Sequence, residues 1–347
     1  MRVLSVGSFS RLSNTCLHRT WALKSIADHV DEVNTTSCPA TLWYRIAYHL
    51  FLWGLPVPIP QNNSENDVIK RLVDENAYDI VWIDKGNSIA PETIRYIRTK
   101  QPSAKIVSYS PDNMALRHNQ SQQFVESIPL YDLHVTTKSY IIDDLKRLGA
   151  KQVMFVNKSY AKEFHYPREV DEADYERLGE DVGFIGAWEE ERCRSMIYLA
   201  THGIRVRVWG GGKWNDYRDV SPNLRIEGRY LFDEDYSKAL RLFKISLCFL
   251  RKMNYDQQTS RTMEIPASGG FMLAERTSEH QSLFREGEEA EFFSSDEELL
   301  EKCRYYLATP AERERIAQAG TRRCLESDYS NEGMVRRVLR ELGFEKF

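Results

Sequence analysis

A short stretch of the sequence, YDQQTSRTMEIPASGG (255–270), combines two acids, an arginine and a double glycine. Asp256 and Glu264 have seven residues between them, and Arg261 lies just before Glu264. The amino end of a helix attracts phosphate through its free N–H groups. An arginine there adds charge-assisted hydrogen bonds, each worth about 1.5–3 kcal/mol when shielded from water. Because a carboxylate one turn into such a helix can accept ribose hydroxyls, the stretch suggests a site for a phosphorylated ligand.

The same residues permit a second interpretation. Arg261 and Glu264 are spaced for an ion pair on the surface of a helix, which stabilises it by only about 0.2–0.5 kcal/mol. We predict a helix with Ser260 as its N-cap that stops at 269–270. It should be short or bent, because Pro266 lies later than a first-turn proline. Spacing alone leaves the anion site and the solvated ion pair equally open.

Short apolar strands alternate with helical stretches along the chain, a pattern that predicts an α/β protein with parallel sheets. An acid-rich stretch at 167–181 separates two such series, and 347 residues exceed what one core usually supports, so we predict two α/β domains. The strand candidates are RVLSVG (2–7), DIVWID (79–84), AKIVSYS (104–110), LHVTT (133–137) and QVMFV (152–156), followed by DVGFIG (181–186), RVRVWG (205–210), LRIEG (224–228), ISLCFL (245–250) and GFMLAE (270–275).

Glycines end several of these strand candidates. In open parallel sheets, ligands bind beyond the carboxyl ends of the strands, where a glycine allows close approach of the backbone. The glycines in question are Gly7, Gly186, Gly210 and Gly228. None belongs to a GxGxxG or GxxxxGK[ST] motif, which disfavours a dinucleotide oxidoreductase and a P-loop ATPase.

Composition excludes several further classes. The formal net charge of −4 gives no overall attraction to nucleic acid or to anionic membranes, although it leaves room for a local basic patch. The six cysteines lack CxxC or Cys/His spacing, which disfavours a zinc site or a disulfide framework and favours a reducing cytoplasm. The apolar stretch at the amino terminus is too short for a signal peptide, and we expect it to form the first buried strand. The cysteines are Cys16, Cys38, Cys193, Cys248, Cys303 and Cys324.

The segment TLWYRIAYHLFLWGLPVPIP (41–60) is strongly apolar. Arg45 and His49 interrupt it and it ends at Gly54, so that it is too short and too polar to cross a bilayer. One interpretation is a helix packed on the amino-terminal domain. The other is a face for a membrane surface or a lipid acceptor.

The run that begins SRTMEIPASGGFMLAERTSEHQSLFREGEEAEFF at residue 260 resembles the C-terminal half of the CgeB-like (spore maturation protein) glycosyltransferases. These are similar to the family-4 glycosyltransferases of the GT-B fold. The similarity covers about residues 182–325 and is looser in the first half, where DIVWIDKGNSIAPETIRYIR and SYSPDN follow the family's order. The resemblance implies an α/β GT-B fold, with two Rossmann-like domains facing each other across a cleft. The acceptor domain would be 1–165, with the C-terminal helix 332–347 packed back on it, and the nucleotide-sugar donor domain 166–331.

Family-4 enzymes carry an E-x7-E motif before a glycine turn, which Asp256 and Glu264 match as D-x7-E. The resemblance implies that Glu264 accepts the ribose hydroxyls and that Asp256 faces the donor sugar. Two departures stand out: aspartate is one methylene shorter than glutamate, and Ala187 and Trp188 follow Gly186 where many family-4 enzymes have an arginine and then a lysine. Arg192 and Trp214 are further candidates for contact with the donor. The predicted donor-binding residues are Glu264, Arg261, Gly186, Trp188, Gly210, Lys213, Gly228, Arg229, Tyr230, Arg251, Ser260, Gly269 and Gly270.

Asp256, Arg261, Asp112 and His18 are the candidate catalytic residues. For His18, a surface or packed position is favoured over a role as a base, and the turn preference of aspartate also explains Asp112. Asp233-x-Asp235 resembles a metal-binding DxD motif, but its place before a helix fits dipole complementarity. The GT-B resemblance implies no essential metal, since cations and helix ends neutralise the leaving diphosphate. The acceptor side is predicted to include Gly7, Ser8, Asn14 and Lys85.

The resemblance implies transfer of a sugar from a UDP-, GDP- or dTDP-sugar to a hydroxyl of a glycan, lipid-linked, protein or small-molecule acceptor. It also implies retention at the anomeric carbon and no further cofactor. Two alternatives stay open: a catalytically idle GT-B-like protein that binds nucleotides or glycans, and a transferase acting on nucleic-acid bases, which the net charge disfavours. We expect a cytoplasmic protein, with peripheral membrane contact through 41–60 as a further possibility.

Overall fold

The computed structural model describes residues 1–35, 41–60 and 64–344, so that Cys38 lies outside the described residues. The chain divides into two compact units. The first comprises the described residues of Met1–Ser10, Asn14–Asn157 and Glu332–Phe347, and the second comprises Arg11–Ser13 and Lys158–Asn331. Among the described residues, no helix is both long enough and apolar enough to span a membrane.

The first unit contains a six-stranded parallel sheet in the order β2-β1-β3-β4-β5-β6. Its strands are β1 (Arg2–Gly7), β2 (His29–Asn34), β3 (Ile80–Asp84), β4 (Lys105–Ser110), β5 (Leu133–Thr136) and β6 (Val153–Phe155). Its helices are α1 (Thr15–Ile26), α2 (Leu42–Leu52), α3 (Ser64–Glu75), α4 (Pro91–Lys100), α5 (Gln122–Ser127) and α6 (Ile142–Arg147).

The second unit contains another six-stranded parallel sheet, in the order β12-β11-β10-β7-β8-β9. Its strands are β7 (Glu180–Ile185), β8 (Val206–Trp209), β9 (Leu224–Ile226), β10 (Phe243–Cys248), β11 (Met272–Glu275) and β12 (Glu291–Phe293). Its helices are α7 (Glu172–Leu178), α8 (Glu190–Thr201), α9 (Asp233–Leu242), α10 (Ser260–Ala267), α11 (Ser278–Leu283), α12 (Asp296–Ala308) and α13 (Pro310–Glu326), and α14 (Asn331–Glu341) follows them in the chain.

Central strands are largely apolar because helices cover both faces of each sheet. Every residue of β3 is buried, for example. On one face of the first sheet, Val3 and Trp82 belong to the same core cluster as Met334 and Leu339 of α14. The C-terminal helix is thus part of the first unit's core. It ends at Glu341 rather than continuing to 347, and residues 345–347 lie outside the described residues.

The direction of the strands in the second sheet determines where a ligand can bind. The chain runs from β7 through β8 to β9 on one side and then returns, so that β10 pairs with the other side of β7. This reversal leaves a crevice beyond the carboxyl ends of β7 and β10, the place where ligands bind in open parallel sheets. The loops after these two strands, and α10 after β10, are therefore the elements to inspect.

Candidate functional site

The amino end of α10 is fixed by a chain of hydrogen bonds. Thr259 is the N-cap and the prediction of Ser260 is wrong, because Thr259 has the extended backbone of a cap whereas Ser260 is already helical. The Thr259 N–H donates to the Thr262 hydroxyl (3.0 Å), which lies 2.9 Å from Nε2 of His280. Nδ1 of His280 lies 2.7 Å from the Glu275 carbonyl oxygen, an acceptor, so Nδ1 carries the proton and Nε2 accepts from Thr262. Burial lowers the pKa of His280, which keeps this arrangement neutral.

Arg261 lies in the first turn of α10 and has an unusual environment. Its Nε atom is buried and has no hydrogen-bond partner among the described residues. It also forms no ion pair with a described carboxylate. The surface ion pair with Glu264 that the sequence permits therefore does not form. Its guanidinium carbon is 5.8 Å from the centre of the Tyr236 ring. Burial alone lowers the pKa of Arg261, but the Tyr236 hydroxyl and the Glu264 carboxylate outweigh it and raise that pKa overall, so the group stays cationic.

Glu264 is enclosed rather than open to solvent, with 3% of its surface exposed. The Tyr236 hydroxyl donates to its Oε2. Its Oε1 lies 3.7 Å from Nε2 of His165. The Ala161 N–H donates to Nδ1 of His165 (3.2 Å), which places the imidazole proton on Nε2, toward the carboxylate. Burial lowers the pKa of His165 to about 3. Tyr236 and His165 were not predicted, because they lie far from Glu264 in sequence.

Asp256 lies on the loop after β10 and is 8% exposed. It lines a cleft of about 610 Å³ at the carboxyl ends of β10, β11 and β12, whereas Arg261 and Glu264 do not line it. Lys252 and Glu275 border the same cleft and form an ion pair of 2.6 Å. The other residues of its lining include Leu250, Tyr255, Gln257, Thr277 and Ser294. The cleft therefore offers both charges and hydroxyl groups beside Asp256.

The loops after β7 and β8 approach each other closely. A Cβ on Gly210 would come within 2.3 Å of the Gly186 carbonyl oxygen, so only glycine fits there. Trp214 is fully buried and donates its indole N–H to the same oxygen (3.0 Å), which contradicts a stacking role on a ligand. Trp188 remains partly exposed, and the Lys213 ammonium lies 4.6 Å from the centre of its ring.

The loop after β9 brings together the other residues predicted for the nucleotide. Gly228 has a φ of 71°, a conformation that favours glycine. The Arg229 guanidinium lies 5.3 Å from the Trp209 ring, and Tyr230 is exposed. Gly269, with a φ of 84°, and Gly270 instead end α10 just before β11 begins. They therefore lie at the edge of the sheet opposite Arg261.

The cations near the carboxyl edge of the second sheet fall into two groups. Arg192 pairs with Glu189 at 3.2 Å, and Arg251 lies 3.5 Å from the same carboxylate. Burial lowers the pKa of Arg192. Lys213, Arg229 and Arg261 instead form no ion pair with any carboxylate that the structure describes. These three side chains come from three different segments and provide positive charge for an anion.

In the first unit, the structure brings together two residues predicted for the acceptor. Lys85, which follows β3, pairs with Asp112 after β4 (Nζ–Oδ2, 2.5 Å). Lys85 has a φ of 59°, which is strained for a residue other than glycine. Such strain is typical of functional sites, and the pair lies at the carboxyl edge of its sheet.

The other residues of the first unit that were predicted for the site either make contacts within the fold or face solvent. Asn14 caps α1 by accepting the Cys16 N–H (2.8 Å), and Ser8 is exposed. His18 is buried and its ring lies 4.9 Å from that of Trp21, which fits the packing interpretation. A Cβ on Gly7 would come within 2.2 Å of the Cys16 sulfur.

A buried ion pair joins Arg19 of α1 to Asp84 at the end of β3, and no local sequence pattern predicts it. The Trp82 indole N–H donates to Asp84 (3.2 Å), and the Arg19 guanidinium lies 4.2 Å from the Tyr109 ring. Loss of either charge would leave the other buried and uncompensated, which typically costs about 3–5 kcal/mol. The pair holds the carboxyl end of β3, directly before Lys85.

The described residues contain no group of three histidine, cysteine or acidic side chains that could hold a metal ion. Asp233 and Asp235 lie in the first turn of α9, where acids complement the helix dipole. Asp235 also pairs with Arg177 at 2.5 Å. The DxD sequence is thus explained by the start of a helix. The described cysteines are free and buried.

Comparison with known proteins identifies a family for part of the chain. Residues 192–340, less than half of the chain, match a family described as glycosyl transferase-like. No curated protein is significantly similar in sequence.

Several solved structures have a similar fold. HepE (Alr3699) from Anabaena, solved with UDP-glucose, has 10% sequence identity and a TM-score of 0.65, with 99% of each chain covered. A trehalose-6-phosphate synthase studied for glycosyl transfer with retention has 14% identity and a TM-score of 0.65 over 100% of each chain. A Listeria monocytogenes protein described as a UDP-N-acetylglucosamine 2-epimerase has 11% identity and a TM-score of 0.59, with 97% of this chain and 94% of that one covered.

The predicted GT-B fold class is confirmed: each unit contains a parallel, Rossmann-like sheet, and the similar structures include GT-B glycosyltransferases. The family match and the fold together support a glycosyltransferase.

The buried His165 predicts a pH-dependent stability. An unfolded histidine takes up a proton near pH 6.5, whereas folded His165 does so only near pH 3. Between these values the folded state binds fewer protons, so its free energy of unfolding falls as the pH drops. Between pH 7 and pH 5, the free energy of unfolding of the wild type should fall by about 2 kcal/mol more than that of His165→Gln. Urea unfolding at the two pH values measures this difference. His49→Gln, at an exposed histidine, is the control, and an unchanged slope in His165→Gln would contradict the assignment.

Proposed function

We propose that the protein transfers a sugar from a nucleotide-diphosphate sugar to a hydroxyl acceptor. The observation that carries this proposal is Arg261, a partly buried cation at the amino end of α10 that has no partner among the described carboxylates. A protein gains nothing in stability from an unpaired cation held out of water. A diphosphate would supply the missing negative charge.

The proposed donor lies along the carboxyl edge of the second sheet. The α10 N-terminus and Arg261 bind the diphosphate, and Lys213 adds positive charge from the loop after β8. As the sugar–phosphate bond breaks, negative charge grows on the leaving diphosphate. Cations already fixed in place stabilise that charge without reorganisation, and this is commonly the largest contribution to catalysis.

Glu264 is the proposed acceptor of ribose hydroxyls. Two contacts, from Tyr236 and His165, leave part of its acceptor capacity, because a carboxylate has about four lone-pair sites. Tyr236 fixes the carboxylate in one orientation. Access for the ribose requires a small movement of the residues that cover Glu264, which is 3% exposed. Arg229 and Tyr230, on the loop after β9, are the proposed neighbours of the nucleobase.

Asp256 is proposed to contact the donor sugar, because it lines the polar cleft of about 610 Å³. The acceptor is proposed to bind to the first unit, at Lys85 and Asp112. Retention at the anomeric carbon and neutralisation of the diphosphate by side chains instead of a metal are further parts of the proposal. Fold similarity to a synthase that transfers with retention supports the first of these.

A CgeB-like family assignment and a cytoplasmic location complete the proposal. UDP-sugars are the first donors to test, because a protein with a similar fold has been solved with UDP-glucose. Thermal-shift measurements with UDP-, GDP- and dTDP-sugars would identify the nucleotide, since a ligand that binds the folded state raises the melting temperature.

A nucleotide-sugar-binding protein without transferase activity is the alternative. Asp256 in place of glutamate, and Ala187 and Trp188 in place of the family-4 cations, favour it. Such a protein would bind the donor but catalyse neither transfer nor hydrolysis. Release of UDP from a bound UDP-sugar, measured in the presence of candidate acceptors and in water alone, separates the two functions.

Arg261→Gln gives the sharpest test of the phosphate site. We expect donor affinity to fall about 10- to 100-fold in calorimetry, because charge-assisted hydrogen bonds are lost. The melting temperature of the free protein should stay the same or rise, because the substitution removes an unpaired cation. Arg304→Gln in α12 is the matched control, since Arg304 is exposed and forms no ion pair with a described carboxylate.

These two measurements separate function from structure. A purely structural Arg261 would show a lower melting temperature on substitution together with unchanged donor affinity. That result would remove the phosphate assignment. Equal losses of affinity in Arg261→Gln and Arg304→Gln would show only a general effect of net charge.

The ribose assignment is tested by pairing a substitution with a changed ligand. If Glu264 accepts the 2′-hydroxyl, 2′-deoxy-UDP should bind the wild type about tenfold more weakly than UDP. In Glu264→Gln the two nucleotides should bind almost equally, because the anionic acceptor is gone. Tyr236→Phe is the control that removes a partner of Glu264 but keeps the carboxylate. The same preference for UDP in wild type and Glu264→Gln would exclude the contact.

A further inference from the structure

The outer face of α2 is apolar and exposed. Leu42 is 76% exposed, Trp43 60% and Trp53, directly after the helix, 78%. Ile46 and Leu55 extend the same surface. Large exposed apolar patches on soluble proteins mark sites that bind a protein, a membrane or a ligand.

The helix that carries this surface is held firmly from its other side. Ala47 and Phe51 are fully buried beneath it. The Arg117 guanidinium lies 4.2 Å from the Phe51 ring, and its Nε–H donates to the Phe51 carbonyl oxygen (2.7 Å). Thr41 caps the amino end by accepting the Tyr44 N–H (3.1 Å). The exposed apolar side chains therefore project from an ordered helix.

The periodicity of the helix places these side chains together. Leu42, Ile46, His49 and Trp53 recur at intervals of three and four residues, so they share one face, with Arg45 and Trp43 at its two borders. Ala47 and Phe51 occupy the opposite face. The helix is thus apolar on both sides, and only one of them is covered.

The charges around this surface favour one class of partner. Residues 41–60 contain no aspartate or glutamate, and Arg45 and His49 are exposed. Arg45 forms no ion pair with a described carboxylate. Tryptophan is enriched at membrane–water interfaces, where its amphipathic ring sits among the lipid headgroups. A positively charged border attracts anionic headgroups even though the whole chain has a net charge of −4.

We propose that α2 and the turn after it dock the protein on an anionic lipid surface. The helix lies in the interface, with Trp43, Trp53, Leu42 and Ile46 at the boundary between the headgroups and the acyl chains, and Arg45 contacts the headgroups. This inference does not depend on the proposed transfer reaction. It implies that the first unit meets the membrane.

The test uses flotation of the full chain with vesicles. One set contains equal parts of phosphatidylglycerol and phosphatidylcholine, and the other contains phosphatidylcholine alone. We expect binding to the anionic vesicles, with a blue shift of tryptophan fluorescence, and binding at least about tenfold weaker to the neutral ones. Trp43→Ala/Trp53→Ala should lower the anionic partition coefficient at least about tenfold.

Controls keep the test specific. Tyr305→Ala/Leu325→Ala removes two large exposed side chains from the second unit and should leave vesicle binding unchanged. Thermal melting confirms that each variant is folded. Absence of binding to both kinds of vesicle, or binding that persists in the tryptophan variant, would overturn the proposal. So would a concentration-dependent dimer in sedimentation that the tryptophan variant abolishes, because the surface would then bind a second copy of the chain.

Discussion

The candidate site depends on a single constraint: a partly buried arginine must remain charged at the amino end of a short helix, although no carboxylate in the described part of the chain pairs with it. The helix dipole adds positive potential at the same point, so the arginine charge and the helix end repel each other in the free protein. Tyr236 and Glu264 beneath the helix offset part of this cost and raise the pKa of Arg261. Because neither forms an ion pair with it, the remaining charge is available to an anionic ligand.

The rest of the second unit serves to keep that helix end in place. The hydrogen bonds from Thr259 through Thr262 to His280 connect α10 to α11 and to the end of β11. On the other side of the crevice, the close approach of Gly186 and Gly210 keeps two loops without bulky side chains between them. A rigid helix end and a low backbone rim are what a diphosphate with its sugar needs, since misplacement by even 1 Å lowers catalysis.

Much of the fold could be predicted from sequence, because buried parallel strands are apolar throughout. β2 and β12 were missed. β2 (HVDEVN) is an edge strand in which polar residues are mixed with two valines. β12 has only three residues and lies in an acid-rich stretch. The N-cap of α10 was wrong by one residue, since Thr259 and Ser260 are equally suitable caps and only the backbone conformation distinguishes them.

The site was predictable in its residue types but not in its partnerships. Asp256, Arg261 and Glu264 are close in sequence, and the resemblance to a family identified them together. Tyr236 and His165 come from other segments, and no local pattern marks them as neighbours of Glu264. The exposure of α2 likewise needed the structure, because the sequence of 41–60 suits a packed helix at least as well as a membrane-facing one.

A crystal structure of the complex with a UDP-sugar would test the central claim most directly. We expect the diphosphate at the amino end of α10, with its oxygens within hydrogen-bond distance of the Arg261 guanidinium. Another cavity, of about 660 Å³, lies at the opposite edge of the second unit's sheet. Its lining includes the basic residues Arg241, Lys244, Arg313 and Arg322. A diphosphate bound in that cavity, with the end of α10 left empty, would contradict the account.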